Sequence, residues 1–312
     1  MKLWRHSLEE APARSGPTVI TLGNFDGVHA GHRALLAAAV TRAKERGIPA
    51  AVVTFEPHPT VVVAPERKPR LLTTLAQRLA VFEAMGVDIA WVIPFSRAVS
   101  QLTAPLFLSR LEKVLEPVEL HVGRSFRFGR DRAGDLLALE EWGRDTGCRI
   151  QPYAFKAHDG GWLSSTRIRE ALEWGDVDEA ARLLGQPFVV TGVVVEGDRR
   201  GRHLGFPTAN LQWEQEQLPA AGVYVTEVRG ARVGHPRLGL TNVGEKPTFQ
   251  TLALSVETFL PDFDGDLYGA RLELAFLHRI RGEQKFAGVE ALREQIARDI
   301  DAGRTWWSAQ RG

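Results

Sequence analysis

The sequence predicts two domains, an N-terminal α/β domain on a mostly parallel sheet and a small antiparallel β-barrel closed by a C-terminal helix. Three observations predict it. A chain of 312 residues exceeds what one hydrophobic core usually serves. Up to about Leu184, short apolar runs alternate with stretches carrying apolar residues at helical spacing, the pattern of strands joined by helical crossovers. From Phe188 onward the runs are β-rich, with Gly and Pro between them.

Taken in order, TVITL (Thr18 to Leu22) reads as a buried strand ending at Gly23, and the helical spacing from Arg33 stops at Gly47. AAVVTF (Ala50 to Phe55) is the next strand, Leu75 to Met85 a helix closed by Gly86, Ile89 to Phe95 a strand, Ala104 to Leu115 a helix, and Glu119 to Val122 a strand. Ser165 to Leu184 looks helical, which sets the boundary near Gln186 and gives domains 1–185 and 186–312. FVVTGVVVEG, GVYVTEV and ARLELAFL then supply barrel strands, and Val289 to Ile300 a final helix.

The bulk numbers exclude several classes. Hydrophobic residues at 44% and charged residues at 25% suit a soluble globular protein, not a disordered one. The net charge of +1 gives no whole-molecule field for nucleic acid or anionic lipid, so neither is an expected partner. A single cysteine, Cys148, rules out an internal disulfide and fits a reducing compartment. The N-terminus lacks the apolar core of a signal peptide, and no run approaches the roughly 20 apolar residues of a membrane span. A cytoplasmic protein is expected; nothing in the sequence fixes its oligomeric state.

In an open parallel sheet ligands bind beyond the carboxyl ends of the strands, and GNFDGVHAGH (Gly23 to His32) lies at such an end. His29 and His32 are three residues apart and can face one ligand from a first helical turn. Gly31 between them lets the backbone come close to a ligand. A helix start adds free N–H groups and a positive dipole end, which suits phosphate. Two surface histidines, or a zinc pair lacking its remaining ligands, are the alternatives. Ser164-Ser165-Thr166-Arg167-Ile168-Arg169 places three hydroxyls and two arginines at a second helix start, either an anion site or an N-cap with solvated arginines.

GNFDGVHAGH, TFEPHP (Thr54 to Pro59), VGRSFRFGRDRAGD (Val122 to Asp135) and SSTRIR, in that order, resemble the adenylyltransferase module of the prokaryotic bifunctional riboflavin kinase/FAD synthetase family, a Rossmann-like nucleotidyltransferase domain. The resemblance implies that FMN attacks the α-phosphorus of ATP and pyrophosphate leaves. It also implies that His29 and His32 stabilise the transition state, while Gly23, Asn24, Phe25, Asp26 and Gly31 shape the nucleotide loop. Ser165, Thr166 and Arg169 would hold phosphates from the other side, and Ser125, Phe126 and Phe128 would meet the flavin. Ser125 stands where the family usually has Asp or Asn.

In GRHLGFPTANL (Gly201 to Leu211) a glycine loop containing Gly205 runs into Thr208 and Asn210. Their oxygens are neutral hard ligands suited to Mg²⁺ that already carries phosphates, though Pro, Thr and Asn are also turn residues entering a strand. With GVY (Gly222 to Tyr224), TNVGEKPTF (Thr241 to Phe249), VETF (Val256 to Phe259) and DLYG (Asp266 to Gly269), this segment resembles the riboflavin kinase domain of the same family. That implies γ-phosphoryl transfer from ATP to riboflavin, with Thr208 and Asn210 on Mg²⁺–nucleotide and Glu257 as general base. Without the motif Glu257 would read as a solvent-facing strand residue. Phe259 stands where the family commonly has His, in the flavin or nucleotide pocket. The rival readings are a riboflavin kinase with an altered N-terminal domain, and a flavin- or nucleotide-binding regulator without turnover.

Overall fold

Six strands build one parallel sheet, the inner ones from runs rich in apolar and β-branched residues: β1 (Lys2–Trp4), β2 (Thr18–Leu22), β3 (Ala50–Glu56), β4 (Ile89–Pro94), β5 (Pro117–Gly123) and β6 (Arg149–Tyr153). Their order is β1-β4-β3-β2-β5-β6, and every registered pair is parallel. The chain winds outward from β2 in both directions, so the strand order reverses beside β2. The segment leaving β2, Gly23 to His32, therefore sits at the switch point where such sheets bind ligands. The computed structural model describes residues 1–10, 15–157, 159–197, 201, 205–247 and 252–311. It divides into two units, Met1–Leu163 and Ser164–Gly312.

Helices α1 (Ala30–Arg46), α2 (Pro59–Val63), α3 (Leu75–Ala84), α4 (Arg97–Ser100), α5 (Ala104–Leu115) and α6 (Leu136–Thr146) connect these strands. Because strand side chains alternate, β2 and β3 feed two cores at once. Val19, Ala50 and Val52 pack with Leu36, Ala39 and Phe82 on one face. Ile20, Leu22, Ala51 and Val53 pack with Trp91, Leu111 and Leu115 on the other. Helix ends follow local chemistry: Thr74 and Gln77 form a reciprocal capping box for α3, and Gly47 closes α1 at φ 66°.

In Ser164–Gly312, α7 (Ser165–Trp174) and α8 (Val177–Leu184) precede the strands β7 (Phe188–Val195), β8 (Thr208–Trp213), β9 (Gly222–Arg229), β10 (Arg237–Pro247), β11 (Leu252–Phe259) and β12 (Arg271–Gly282), with α9 (Val289–Ala309) last. The strands close a barrel in the order β10-β11-β8-β7-β12-β9, antiparallel throughout. Tyr224, Phe276 and Phe188 meet in its interior at ring distances of 5.3 and 6.4 Å. Outside, Val225, Leu238 and Leu240 pack against Ile300 of α9, with Phe206, Phe259 and Ile296 around them.

Several elements have no counterpart in the expectations from sequence, the short helices α2 and α4 and strand β10 among them. Of the others, β1 is a three-residue edge strand, β6 contains Pro152, and α6 contains Gly143, where a Cβ would lie 2.9 Å from the Ile150 side chain. Arg202, His203 and Leu204 of the glycine loop, and Thr248 and Phe249 of TNVGEKPTF, lie outside the described residues. No described helix is long and apolar enough to cross a membrane.

Candidate functional site

The loop after β2 is a tight, mostly buried turn. Phe25, Gly27 and Val28 all have positive φ, at 53°, 82° and 37°, a conformation that costs of order 1–3 kcal/mol for a non-glycine residue and persists only where the surroundings enforce it. The enforcement is visible. The buried Asp26 carboxylate accepts from the backbone N–H groups of Leu72 (3.0 Å) and Thr73 (3.2 Å) and from the Thr73 hydroxyl (3.3 Å). Gly27 N–H donates to that same hydroxyl at 3.0 Å. Phe25 is fully buried, edge-on to Phe82 and to His32, so it supports the loop from beneath. The Asn24 carbonyl accepts from buried Arg78 at 3.0 Å and from Thr54 at 3.3 Å, and its amide meets His58 of TFEPHP at 3.2 Å. Arg78 also pairs with Glu56 of that motif. Gly23 N–H donates to the Val53 carbonyl at 3.2 Å.

His29 is the N-cap of α1: its Nδ1 accepts the His32 N–H at 3.2 Å. One helix-start donor is thus taken by the motif itself, which the spacing alone does not reveal. An accepting Nδ1 puts the proton of the neutral ring on Nε2, leaving that nitrogen as a donor. The two imidazoles stack at 3.6 Å and 13°. Burial lowers His29 to about 4. Burial, and then the neighbouring His29, lower His32 well below the usual histidine value. Both rings are neutral near pH 7, and the buried Nδ1 of His32 has no hydrogen-bond partner. Gly31 differs from expectation: the direction a side chain would take is filled by the Phe155 ring, 2.9 Å from a Cβ built there. The glycine serves packing inside the protein.

Beside the loop a cavity of about 680 Å³ is lined by Asn24, Phe55, Phe95, Ser125, Phe126 and Phe128, among others. Its volume falls within the roughly 300–1,000 Å³ of small-molecule sites. Phe126 and Phe128 stack at 5.7 Å and 13°, while Phe55 meets Phe95 edge-on at 5.6 Å. A planar conjugated ring fits such a wall.

In the second unit the Ser164 hydroxyl caps α7 by accepting the Arg167 N–H at 3.3 Å. Ser165, Thr166 and Arg169 stand on the first turns of that helix. Arg167 pairs with Glu179 of α8 at 3.3 Å.

On the barrel, β8 and β11 pair with Asn210 opposite Glu257 and Thr208 opposite Phe259. The two-residue period of strands puts all four on one face. The Thr208 hydroxyl lies 3.3 Å from a Glu257 carboxylate oxygen, and the Asn210 amide lies over Gly197, where any side chain would collide with it. Gly205 has φ 87°, the left-handed region that favours glycine. Thr208, Glu257 and Phe259 line a cavity of about 370 Å³ with Phe206, Ile296 and Asp299. Asp299 is buried and forms a fork with Arg281 at 2.8–3.0 Å. A second cavity of about 520 Å³ opens on Thr208 from the other side, lined by Pro207, Phe263, Asp266 and Tyr268. Phe206 belongs to the glycine-loop motif itself, whereas Arg281, Asp299 and Phe263 were not legible in the sequence, and only folding brings them to the cavities that Thr208 lines. Among the described residues no group of three or more His, Cys, Asp or Glu is placed to hold a metal ion.

The FAD synthetase family model matches residues 11–167 and the riboflavin kinase model residues 184–307. The bifunctional riboflavin kinase/FMN adenylyltransferase of Escherichia coli (strain K12) is 41% identical over 303 residues, 96% of each chain. That of Bacillus subtilis (strain 168) is 35% identical over 300 residues, covering 94% of this chain and 93% of its own. A crystal structure described as a macrolide-efflux protein from Streptococcus pneumoniae matches with a TM-score of 0.88 at 31% identity, covering 98% of this chain and 100% of that one. Two family models in tandem and relatives matched almost end to end agree with both constellations, and the chain belongs to the bifunctional riboflavin kinase/FMN adenylyltransferase family.

Proposed function

We propose that this chain makes FMN from riboflavin at its barrel and FAD from FMN at its parallel sheet, using ATP at both. We assign adenylylation to residues 1–185 and phosphorylation to 186–312. The observation that carries the reading is that each set of residues lines or adjoins a cavity suited to its substrates. The neutral stacked histidines stand at a switch-point loop beside an aromatic cavity, and on the barrel Thr208 lines two cavities, with Glu257 beside it in one of them.

For adenylylation, an FMN phosphate oxygen attacks the α-phosphorus of ATP in line. The bond from that phosphorus to the bridging oxygen breaks, and pyrophosphate leaves. His29 Nε2–H donates to a phosphoryl oxygen as charge develops, His32 acts beside it, and Ser165, Thr166 and Arg169 hold phosphates. Asn24, Gly23 and Gly31 set the loop, with Phe25 and Asp26 fixing it from below. The isoalloxazine ring lies against Phe126 and Phe128.

For phosphorylation, the apolar cavity of Phe206 and Phe259 takes riboflavin and the cavity of Phe263 and Tyr268 takes the nucleotide, so that Thr208 lies between donor and acceptor. Glu257 takes the proton of the ribityl hydroxyl as its oxygen attacks the γ-phosphorus and ADP leaves. Thr208 and Asn210 would hold Mg²⁺; a threonine hydroxyl and an amide oxygen on one strand face, beside a carboxylate, suit an ion that takes its other ligands from phosphate and water. When bound, that ion neutralises charge on the transferring phosphoryl group. Gly205 lets the preceding loop approach the nucleotide.

Both reactions suit the cytoplasm, and the buried Cys148 thiol, pushed up to about 12, takes no part in them. Neither nucleic acid nor membrane is a partner in this reading. Incubation with riboflavin, ATP and Mg²⁺, with flavins resolved by chromatography, tests it. FMN followed by FAD is expected; flavin binding with neither product would leave a regulator, and FMN alone a kinase.

Ser125 is exposed at the cavity rim, where it offers one neutral hydroxyl. Ser125→Asn adds a second donor or acceptor, worth about 1 kcal/mol, and is expected to lower KM for FMN about fivefold. Steady-state FAD synthesis at varied FMN measures this.

A further inference from the structure

A polar chain that neither reaction uses runs beneath the histidine turn. Glu119 and His121, two residues apart on β5, are each 1% exposed. Glu119 accepts from Arg42 at 3.2 Å and pairs with Arg46 at 3.3 Å, both on α1. His121 lies 3.0 Å from Glu119 through Nε2 and 2.9 Å from the Tyr153 hydroxyl through Nδ1. The Tyr153 ring stacks on Phe155 at 5.6 Å and 10°. Phe155, whose carbonyl accepts the Leu163 N–H at 3.2 Å, presses its ring on Gly31, between the two histidines.

We propose that Phe155, braced by Tyr153, His121 and Glu119, is the positioning residue that sets the His29–His32 pair for adenylyl transfer without touching substrate. The inference rests on the reading that this pair serves that step. Burying Glu119 and His121 is unfavourable unless both are fully bonded, and apolar residues could fill the same volume. What the bonded chain adds is a fixed ring orientation. That orientation reaches the backbone directly, because position 31 has no side chain to cushion the contact. A displacement of about 1 Å in a catalytic group can reduce rate about 10²-fold.

The test is a double-mutant cycle on FAD formation by the full chain, with riboflavin phosphorylation measured alongside. Phe155→Leu is expected to lower kcat for FAD formation about tenfold or more, with KM for ATP and FMN within about twofold and phosphorylation unchanged. Gly31→Ala, which drives a methyl into the ring, is expected to do the same. In the Phe155→Leu background the Gly31→Ala change should reduce kcat less than about twofold further, a coupling that independent sites do not give. Phe155→Tyr, which keeps the stack, should restore the rate. Should Phe155→Leu fail to fold, Phe155→Met, closer in volume, carries the same cycle. Additive losses, a loss confined to KM, or an unchanged kcat in Phe155→Leu or Phe155→Met would overturn the proposal. A parent chain that makes no FAD would remove the underlying reading instead.

Discussion

His29→Ala and His32→Ala are each expected to stop FAD formation while FMN continues to accumulate from riboflavin. Removing one preorganised donor to a developing oxyanion typically costs about 10²–10³ in kcat, and His29 offers such a donor because its Nδ1 is committed to the His32 N–H. Alanine at 29 also removes an N-cap, worth about 1 kcal/mol. His29→Asn separates the two losses: asparagine caps well but places no N–H where Nε2 stands. FAD formation should fall about as far in the asparagine variant as in the alanine one, with much of the stability kept. The same burial gives a pH signature. His29 titrates near 6.5 unfolded and about 4 folded, so between those values the unfolded chain binds more protons. Stability contributed by the neutral ring is complete above about pH 6.5 and is lost as pH falls towards 4. Urea unfolding at pH 7 and pH 4.5 should show a smaller acid loss in His29→Asn than in the parent. If FMN and FAD vanish together in a folded variant, the division of labour between the two domains is wrong; if FAD forms at the parental rate, the histidines have no part in transfer.

The sequence made the centre of the parallel sheet legible because β2, β3 and β4 are covered on both faces, and such strands must be continuous apolar runs ended by loops. β1 and β6 escaped for the converse reason. A three-residue edge strand and a strand carrying Pro152 owe their pairing to the neighbour already in place. The candidate sites divide similarly. His29, His32, Thr208 and Asn210 lie close in sequence, and helix or strand periodicity suffices to bring each pair together. The contacts of Arg78 with Asn24, of Asp26 with Leu72 and Thr73, and of Phe155 with Gly31 span 46 or more positions, and no local pattern encodes them. Gly31 shows the consequence. Its lack of a side chain was legible, but the ring that needs the space lies on a residue beyond β6. Phe259 was expected in the flavin or nucleotide pocket and does line a cavity, edge-on to Phe206 at 5.7 Å.

Glu257→Gln is expected to reduce riboflavin phosphorylation about 10²–10⁴-fold, the usual contribution of a positioned base, while FAD formation from supplied FMN proceeds at the parental rate. Glutamine suits the test because it preserves what Glu257 does structurally. It keeps the side-chain length on β11, can still accept the Thr208 hydroxyl through its amide oxygen, and removes only basicity and charge. The charge is a second variable, since a carboxylate next to Thr208 also bears on the proposed Mg²⁺ site. Titrating Mg²⁺ separates the two. If the carboxylate serves mainly the ion, raising Mg²⁺ should recover much of the lost rate; if it takes the ribityl proton, kcat stays low at saturating Mg²⁺ with KM for riboflavin little changed. Thr208→Val provides the opposite control, losing a metal-facing oxygen while keeping the base, and should show the rate recovery that Glu257→Gln lacks. Equal phosphorylation rates in Glu257→Gln and the parent would remove Glu257 from the base role. The transfer would then depend on alignment and charge alone, which carry the larger share of phosphoryl transfer in any case.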